Sequence, residues 1–300
     1  LQQEPSNAIR LFIKDFTLEH KLSYYNVRSH EGLMRNVVIR CNGKGEFMVI
    51  VVINEENDLV RNVMIPEMQK RFPEIISIML VINNKFNDII TDLPFENVYG
   101  EECLIETMKA PREGHDDLKF RVGPVSFFQT NVYQGERLYK AAFDLADVKG
   151  DELMYDLYTG TGTIALYFAR FVKEVVGVEY VEEAIADAKI NSEFNNINNV
   201  KFYAGDMAKV FTDEFIEANG RPDFVVTDPP RAGMHEKVVE QLLKIQPKKI
   251  VYISCNPATQ ARDLQLLNSL YEVKAVQPVD MFPHTHHVEN IVLLKLKTEI

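Results

Sequence analysis

Asp156-Leu157-Tyr158-Thr159-Gly160-Thr161-Gly162-Thr163-Ile164-Ala165 decides the fold. The apolar run 153–158 reads as a strand, and residues 164–171 read as a helix. Glycines in a turn between the two let a ligand approach the backbone closely at the strand's carboxyl end. Glu179 closes the next apolar strand, Glu174–Glu179, 19 residues after Gly160. A carboxylate there can accept both ribose hydroxyls of an adenosine. The string also fits G-x-G-x-x-A, the dinucleotide fingerprint. The motif therefore specifies an adenosine-containing cofactor and leaves NAD and S-adenosylmethionine both open.

Outward from this turn the rhythm is strand, loop, helix. Residues 133–146 read as a helix with Leu138, Ala142 and Leu145 inward, and a second helix runs through Val181, Ala184, Ile185 and Ala188. Val200–Ala204, Phe224–Thr227 and residues 250–254 are further apolar strands with helices between them. This alternation predicts an α/β domain with a mostly parallel sheet covered on both faces. Residues 272–277 and 291–297 are strands joined by a loop without a helix, which predicts an antiparallel edge strand. The earlier chain is different. Ile9, Phe12, Ile13 and Phe16 recur at helical spacing in 6–20, and Asn42-Gly43-Lys44-Gly45 separates two β-rich runs, 34–40 and 46–54. Residues 65–72 read as a helix, 75–83 as a strand, and 86–125 as short strands and turns. The predicted organisation is a smaller α+β domain over 1–120 followed by the α/β domain over 121–300.

The composition suits two globular domains: 300 residues, 46% apolar and 26% charged, which excludes a disordered or collagen-like chain. Apolar runs such as Phe47–Ile53 fall far short of the ~18 residues of a membrane-spanning helix, so no membrane association is expected. Three scattered cysteines, Cys41, Cys103 and Cys255, form neither a disulfide framework nor a zinc cage, and point to a reducing cytoplasm. The net charge of −11 argues against broad nonspecific nucleic-acid binding. The acidic excess is shared, with 14 basic against 19 acidic residues in 1–120 and 19 against 25 in 121–300. The chain opens at Leu1 and residues 1–20 lack the pattern of a signal peptide, so a piece of a longer protein is expected.

Asp206 and four further constellations accompany the glycine turn. Asp206 ends the third strand, where it could hold an adenine amino group; taken alone it reads as a helix N-cap. Thr227-Asp228-Pro229-Pro230-Arg231-Ala232-Gly233 follows a strand, and its two prolines stiffen the loop that carries the Asp228 carboxylate. Ile253-Ser254-Cys255-Asn256-Pro257 puts a thiol past a strand end, at the face where such sheets bind ligands, which favours a reactive role. Phe282-Pro283-His284-Thr285-His286-His287-Val288-Glu289 carries three histidines without the Cys or carboxylate spacing of a metal site, so no metal is assigned and the histidines are expected to orient the loop and Glu289 or to contact phosphate. Phe127-Phe128-Gln129-Thr130-Asn131 precedes a helix; the aromatic pair reads as core, or as a platform for a base or cofactor that Gln129 and Asn131 would hydrogen-bond.

Phe-Phe-Gln-x-Asn, Asp-Leu-Tyr-x-Gly-x-Gly-Thr, Asp-Pro-Pro-Arg-x-Gly, Ser-Cys-Asn-Pro-Ala-Thr and His-Thr-His-His-Val-Glu, in this order and spacing across 120–300, resemble the S-adenosylmethionine-dependent RNA uracil-C5 methyltransferases. Residues 1–120, including Gly32-Leu33-Met34-Arg35-Asn36, more weakly resemble that family's central domain. The resemblance implies a Rossmann-like class I methyltransferase domain, with Cys255 as nucleophile and Glu289 as the base that removes the C5 proton. It implies that Gln129, Tyr158, Gly160, Thr163, Glu179, Asp206 and Asp228 line the cofactor and reaction site. The family often has Cys where Thr159 stands and Asn where Thr163 stands. Its members often carry an N-terminal β-barrel RNA-binding domain and a four-cysteine iron–sulfur site; Cys41 and Cys103 do not match the cluster pattern, so no iron–sulfur cluster is expected in this segment. Residues 276–287 are more similar to the ribosomal than to the transfer RNA branch, so the implied partner is RNA, 23S ribosomal RNA in particular, with no obligate protein partner. The alternatives are a transfer RNA uridine-C5 methyltransferase, an NAD-dependent oxidoreductase and a noncatalytic RNA-binding protein. Only methyl transfer gives Cys255 and Glu289 a shared task.

Overall fold

Ile9, Ile13 and Phe16 give α1 (Ser6–Glu19) a single buried stripe. β1 (Met34–Cys41) and β2 (Phe47–Ile53) form the expected hairpin, and the Asn42 side-chain oxygen accepts the amides of Lys44 and Glu46 in its turn. Every residue of β2 is buried. A π-helical turn, Val60–Met64, leads into α2 (Ile65–Arg71); the helix expected from 65 is thus entered one turn earlier. The crossover sets β3 (Ile75–Ile82) parallel to β2, and β4 (Glu96–Gly100) returns antiparallel, giving the order β1-β2-β3-β4. Both helices pack on the sheet face that carries Val49, Val51, Ile78 and Leu80. β5 (Leu104–Met108) and β6 (Leu118–Val122) make a separate two-stranded sheet.

This computed structural model describes residues 3–297. The chain divides into two units: Leu1–Glu106 with Arg121–Val125, and Thr107–Phe120 with Ser126–Ile300.

In the second unit α3 (Val132–Ala146) is followed by β7 (Leu153–Leu157), α4 (Thr163–Ala169), β8 (Glu174–Glu179), α5 (Glu182–Phe194) and β9 (Val200–Ala204). Short helices α6 (Met207–Val210) and α7 (Asp213–Asn219) precede β10 (Phe224–Thr227). Then come α8 (Glu236–Ile245), β11 (Lys249–Ser254), α9 (Pro257–Leu267), β12 (Tyr271–Val279) and β13 (Glu289–Leu296). The sheet order among the described residues is β12-β13-β11-β10-β7-β8-β9, with β7 to β11 parallel. Side chains alternate across each strand. Tyr155, Leu157 and Val225 face α6–α9, whereas Phe224 stacks on Phe168 of α4 on the opposite face.

One expectation is corrected. The antiparallel strand is β13, and it lies one place in from the edge, between β11 and β12. Burial accounts for this. β13 buries Ile291, Val292, Leu293 and Leu294 in succession, as a strand covered on both faces must, while β12 buries only Tyr271 and takes the edge.

Candidate active site

Parallel strands present their carboxyl ends at one rim, so Tyr158, Glu179, Asp228 and Cys255 come to the same rim because each ends or directly follows such a strand. Asp206 follows β9 by two residues. β13 runs the other way, so its first residue, Glu289, starts at that rim. The β11–β13 register sets Ser254 opposite Asn290, which brings the next residues, Cys255 and Glu289, to the ends of adjacent strands.

The glycines of the turn have different tasks. Gly160 has φ +55°, and a Cβ there would meet nothing within 4 Å, so its backbone is open to a ligand. Its amide donates to Glu179 Oε2 at 3.1 Å. Gly162 has φ +81°, and a Cβ there would lie 3.0 Å from both Ala188 and Phe202; it serves packing and not ligand approach, contrary to the expectation for the pair. Glu179 Oε1 accepts from the amides of Tyr180 (2.8 Å) and Val181 (3.1 Å). With Gly160 on Oε2, three of its four acceptor positions are taken and one stays open.

A cavity of about 670 Å³ opens beside the turn. Its walls include Tyr158, Tyr180, Asp206, Met207 and Gly233, but neither Cys255 nor Glu289. Tyr158 adopts a left-handed backbone (φ +67°) and is half-buried. Asp206 is the N-cap of α6, accepting the Ala208 amide at 3.0 Å, and this bond helps hold its carboxyl below the usual range. Thr163 is buried, 3.4 Å from Thr161 between hydroxyl oxygens. Tyr180, 73% exposed beside Glu179, is an aromatic wall that the sequence pattern did not single out.

Acidic groups crowd the neighbouring part of the rim. Asp156 is fully buried; one oxygen accepts the Thr159 hydroxyl and the other, Oδ1, has no partner. Burial raises its carboxyl to about 7. Burial, with repulsion from Glu289 and Asp156, pushes Asp228 well above the carboxylate range. Burial likewise raises Glu289, opposed by Arg231. Burial and Glu289 push the half-buried Cys255 thiol up, while the nearby Arg231 guanidinium pulls it down. Arg231 Nη2 also lies 3.1 Å from His287 Nδ1, giving that loop histidine an orienting role. Gln129 lies near Tyr139, a buried tyrosine of α3 close enough to Asp228 and Glu289 to feel both charges.

Cys255, Glu289 and Asp228 thus form one electrostatic cluster with Asp156, Arg231 and Tyr139, and Gln129 joins it through Tyr139. Tyr158 and Asp206 line the cavity, while Gly160 and Glu179 form the turn. Asp156, Arg231 and Tyr139 had no assigned role; the first two stand inside motifs already quoted, and nothing in the pattern marks a single tyrosine on an amphipathic helix. The aromatic pair splits, with Phe128 buried against Phe120 at 5.6 Å and Phe127 69% exposed. Asn131 caps α3 and donates to the Met281 carbonyl, so it braces the last loop. Among the described residues no helix is long and apolar enough to cross a membrane, and no group of three or more His, Cys, Asp or Glu could hold a metal ion.

The chain is 53% identical over 300 residues to an uncharacterized RNA methyltransferase of Bacteroides thetaiotaomicron, covering 99% of this chain and 64% of that protein. It is similar, at 34% identity and TM-score 0.76, to the Pyrococcus abyssi tRNA (uracil-54, C5)-methyltransferase solved in complex with S-adenosyl-L-homocysteine, covering 94% of this chain and 65% of that one. The M. jannaschii tRNA m1G37 methyltransferase shares the fold at TM-score 0.54 and 14% identity. The chain therefore spans a little under two thirds of the length of the first two proteins. Its second unit has the class I methyltransferase fold. The tRNA (uracil-5-)-methyltransferase family model matches residues 102–297, about two thirds of the chain, and the chain belongs to that family.

Proposed function

We propose that the protein transfers a methyl group from S-adenosylmethionine to C5 of a uridine in RNA. The observation that carries this is the clustering of a thiol and a carboxylate, Cys255 and Glu289, at the ends of adjacent strands. The open backbone at Gly160, the remaining acceptor position of Glu179 and the orphaned buried Asp156 oxygen suit an adenosine-bearing cation. When bound, S-adenosylmethionine supplies an electrophilic methyl on sulfur.

Uracil C5 is a poor nucleophile. The Cys255 thiolate adds to C6, and the electron pair of the C5–C6 bond moves onto C5 and the C4 carbonyl, which makes C5 nucleophilic. After C5 is methylated, Glu289 removes the C5 proton, the C5–C6 double bond re-forms and the C6–S bond breaks, returning Cys255 as thiolate. A protonated Asp228 can donate a hydrogen bond to the base. The base must leave its stack, at a cost of a few kcal/mol in order of magnitude, and the exposure of Phe127 supports stacking by its ring in return.

For the target, we propose 23S ribosomal RNA on the residues at 276–287. A transfer RNA target is the second reading, favoured by the similarity to the Pyrococcus abyssi enzyme. Mapping 5-methyluridine in RNA from cells with and without the gene tests both. Loss of one site in 23S RNA supports the first, loss in transfer RNA the second, and an unchanged map in both overturns the activity.

A further inference from the structure

Asn256, Thr259, Gln260 and Asp263 recur at i, i+3, i+4 and i+7, so they share one face of α9, the helix that starts directly after Cys255. That face grips the loop after β10. Asn256 Nδ2 and Thr259 Oγ1 each donate to the Arg231 carbonyl at 3.1 Å. Asp263, 1% exposed, accepts the Met234 amide (2.8 Å) and the Tyr252 hydroxyl (2.7 Å) on Oδ2. Its Oδ1 holds the Arg262 guanidinium at 2.7 Å, which donates in turn to the Ala232 (2.9 Å) and Met234 (3.4 Å) carbonyls. Gly233 crosses directly over this pair. At φ +82°, a Cβ there would lie 2.6 Å from Arg262 Nη2 and 2.7 Å from Asp263 Oδ2, so only glycine passes. The backbone from 231 to 234 is therefore clamped, and the Asn256–Arg231 bond holds the start of this segment against the residue next to Cys255, where the Arg231 charge lowers the thiol pKa.

We propose that Asp263 is a positioning residue: through Arg262 and the 231–234 backbone it holds Arg231 beside Cys255. This rests on Cys255 being the nucleophile. The groups facing the thiol are Arg231 and Asp228 from the loop after β10 and Glu289 from β13. Loss of the clamp removes the one cation and leaves the two acids, so less thiolate forms at a given pH.

The test is the pH dependence of Cys255 alkylation by iodoacetamide, followed on the Cys255 peptide in the full chain, beside methyl transfer. Asp263→Asn, nearly isosteric, is expected to move the alkylation midpoint upward, so that the rate below the midpoint falls about three- to tenfold and recovers at high pH. Arg231→Met should give the same shift, and the double variant no further one. If Asp263→Asn fails to fold, Arg262→Met, at an exposed side chain, decides by the same readout. An unshifted alkylation profile with a Cys255→Ala protein devoid of activity overturns the inference alone. A Cys255→Ala protein that transfers methyl normally overturns the reading on which it rests.

Discussion

Cys255 and Glu289 were legible because both stand in motifs, but their mutual influence is a product of the β11–β13 register, which no local pattern encodes. Cys255→Ala is expected to bind S-adenosylmethionine and transfer no methyl. Glu289→Gln should methylate and stall, accumulating a protein–RNA adduct that survives denaturation; free methylated RNA at the normal rate would remove Glu289 as the base. Because burial and Glu289 hold the thiol above its ordinary range, the wild-type rate should climb with pH through and beyond that range. Asp156 makes a separate prediction. Its carboxyl sits at about 7 in the folded chain against 3.8 when unperturbed. Between those values the folded chain keeps a proton that the unfolded chain has lost, so stability falls as pH rises from about 4 to 7. Asp156→Asn lacks that slope. It should gain on the wild type across this window by at most about 4 kcal/mol, as read by denaturant unfolding at pH 4 and pH 8. A constant difference at both pH values would refute it. Burial of this carboxylate was invisible in sequence because Asp is mostly exposed and almost never fully buried unless paired.

The strands of the second unit were legible as elements because each is a short apolar run bounded by turn residues, and Glu174–Glu179, Val200–Ala204 and Phe224–Thr227 occupy the expected spans. What the pattern could not supply was order. The place of β13 between β11 and β12 depends on which strand buries both faces, a tertiary fact. The same limit applies to the turn between β7 and α4, where two glycines look alike in sequence. Gly160→Ala accepts the left-handed cost of about 1–2 kcal/mol with free space around its methyl. It should fold with a small loss of stability and bind S-adenosylmethionine much more weakly. Gly162→Ala adds to a similar cost a collision with Ala188 and Phe202, and overpacking of that kind costs about 1–3 kcal/mol more. It should lower the melting temperature by clearly more than Gly160→Ala. Paired calorimetry and cofactor titration would show the reverse order if the two roles were misassigned.

Across the whole molecule, 44 acidic residues face 33 basic ones, and no excess of cations marks either half of the sequence. Generic phosphate attraction is then expected to contribute little, and under the proposed activity recognition by this chain would rest on base extrusion, stacking on groups such as Phe127 and the bond to Cys255. A protein that neutralises six to ten phosphates loses roughly 10³–10⁵ in affinity between 50 and 200 mM salt. With three contacts or fewer on single-stranded RNA, the same fourfold change in salt costs less than about 20-fold. The 300-residue chain is expected in the second regime. Binding of a uridine-containing substrate RNA to Cys255→Ala, which forms no covalent bond, measures this directly by equilibrium titration over that salt range. A loss of 10³ or more would reveal a basic RNA track that the charge balance conceals. A shallow dependence would place specificity in the rim where the thiol, the carboxylates and the clamped arginine meet.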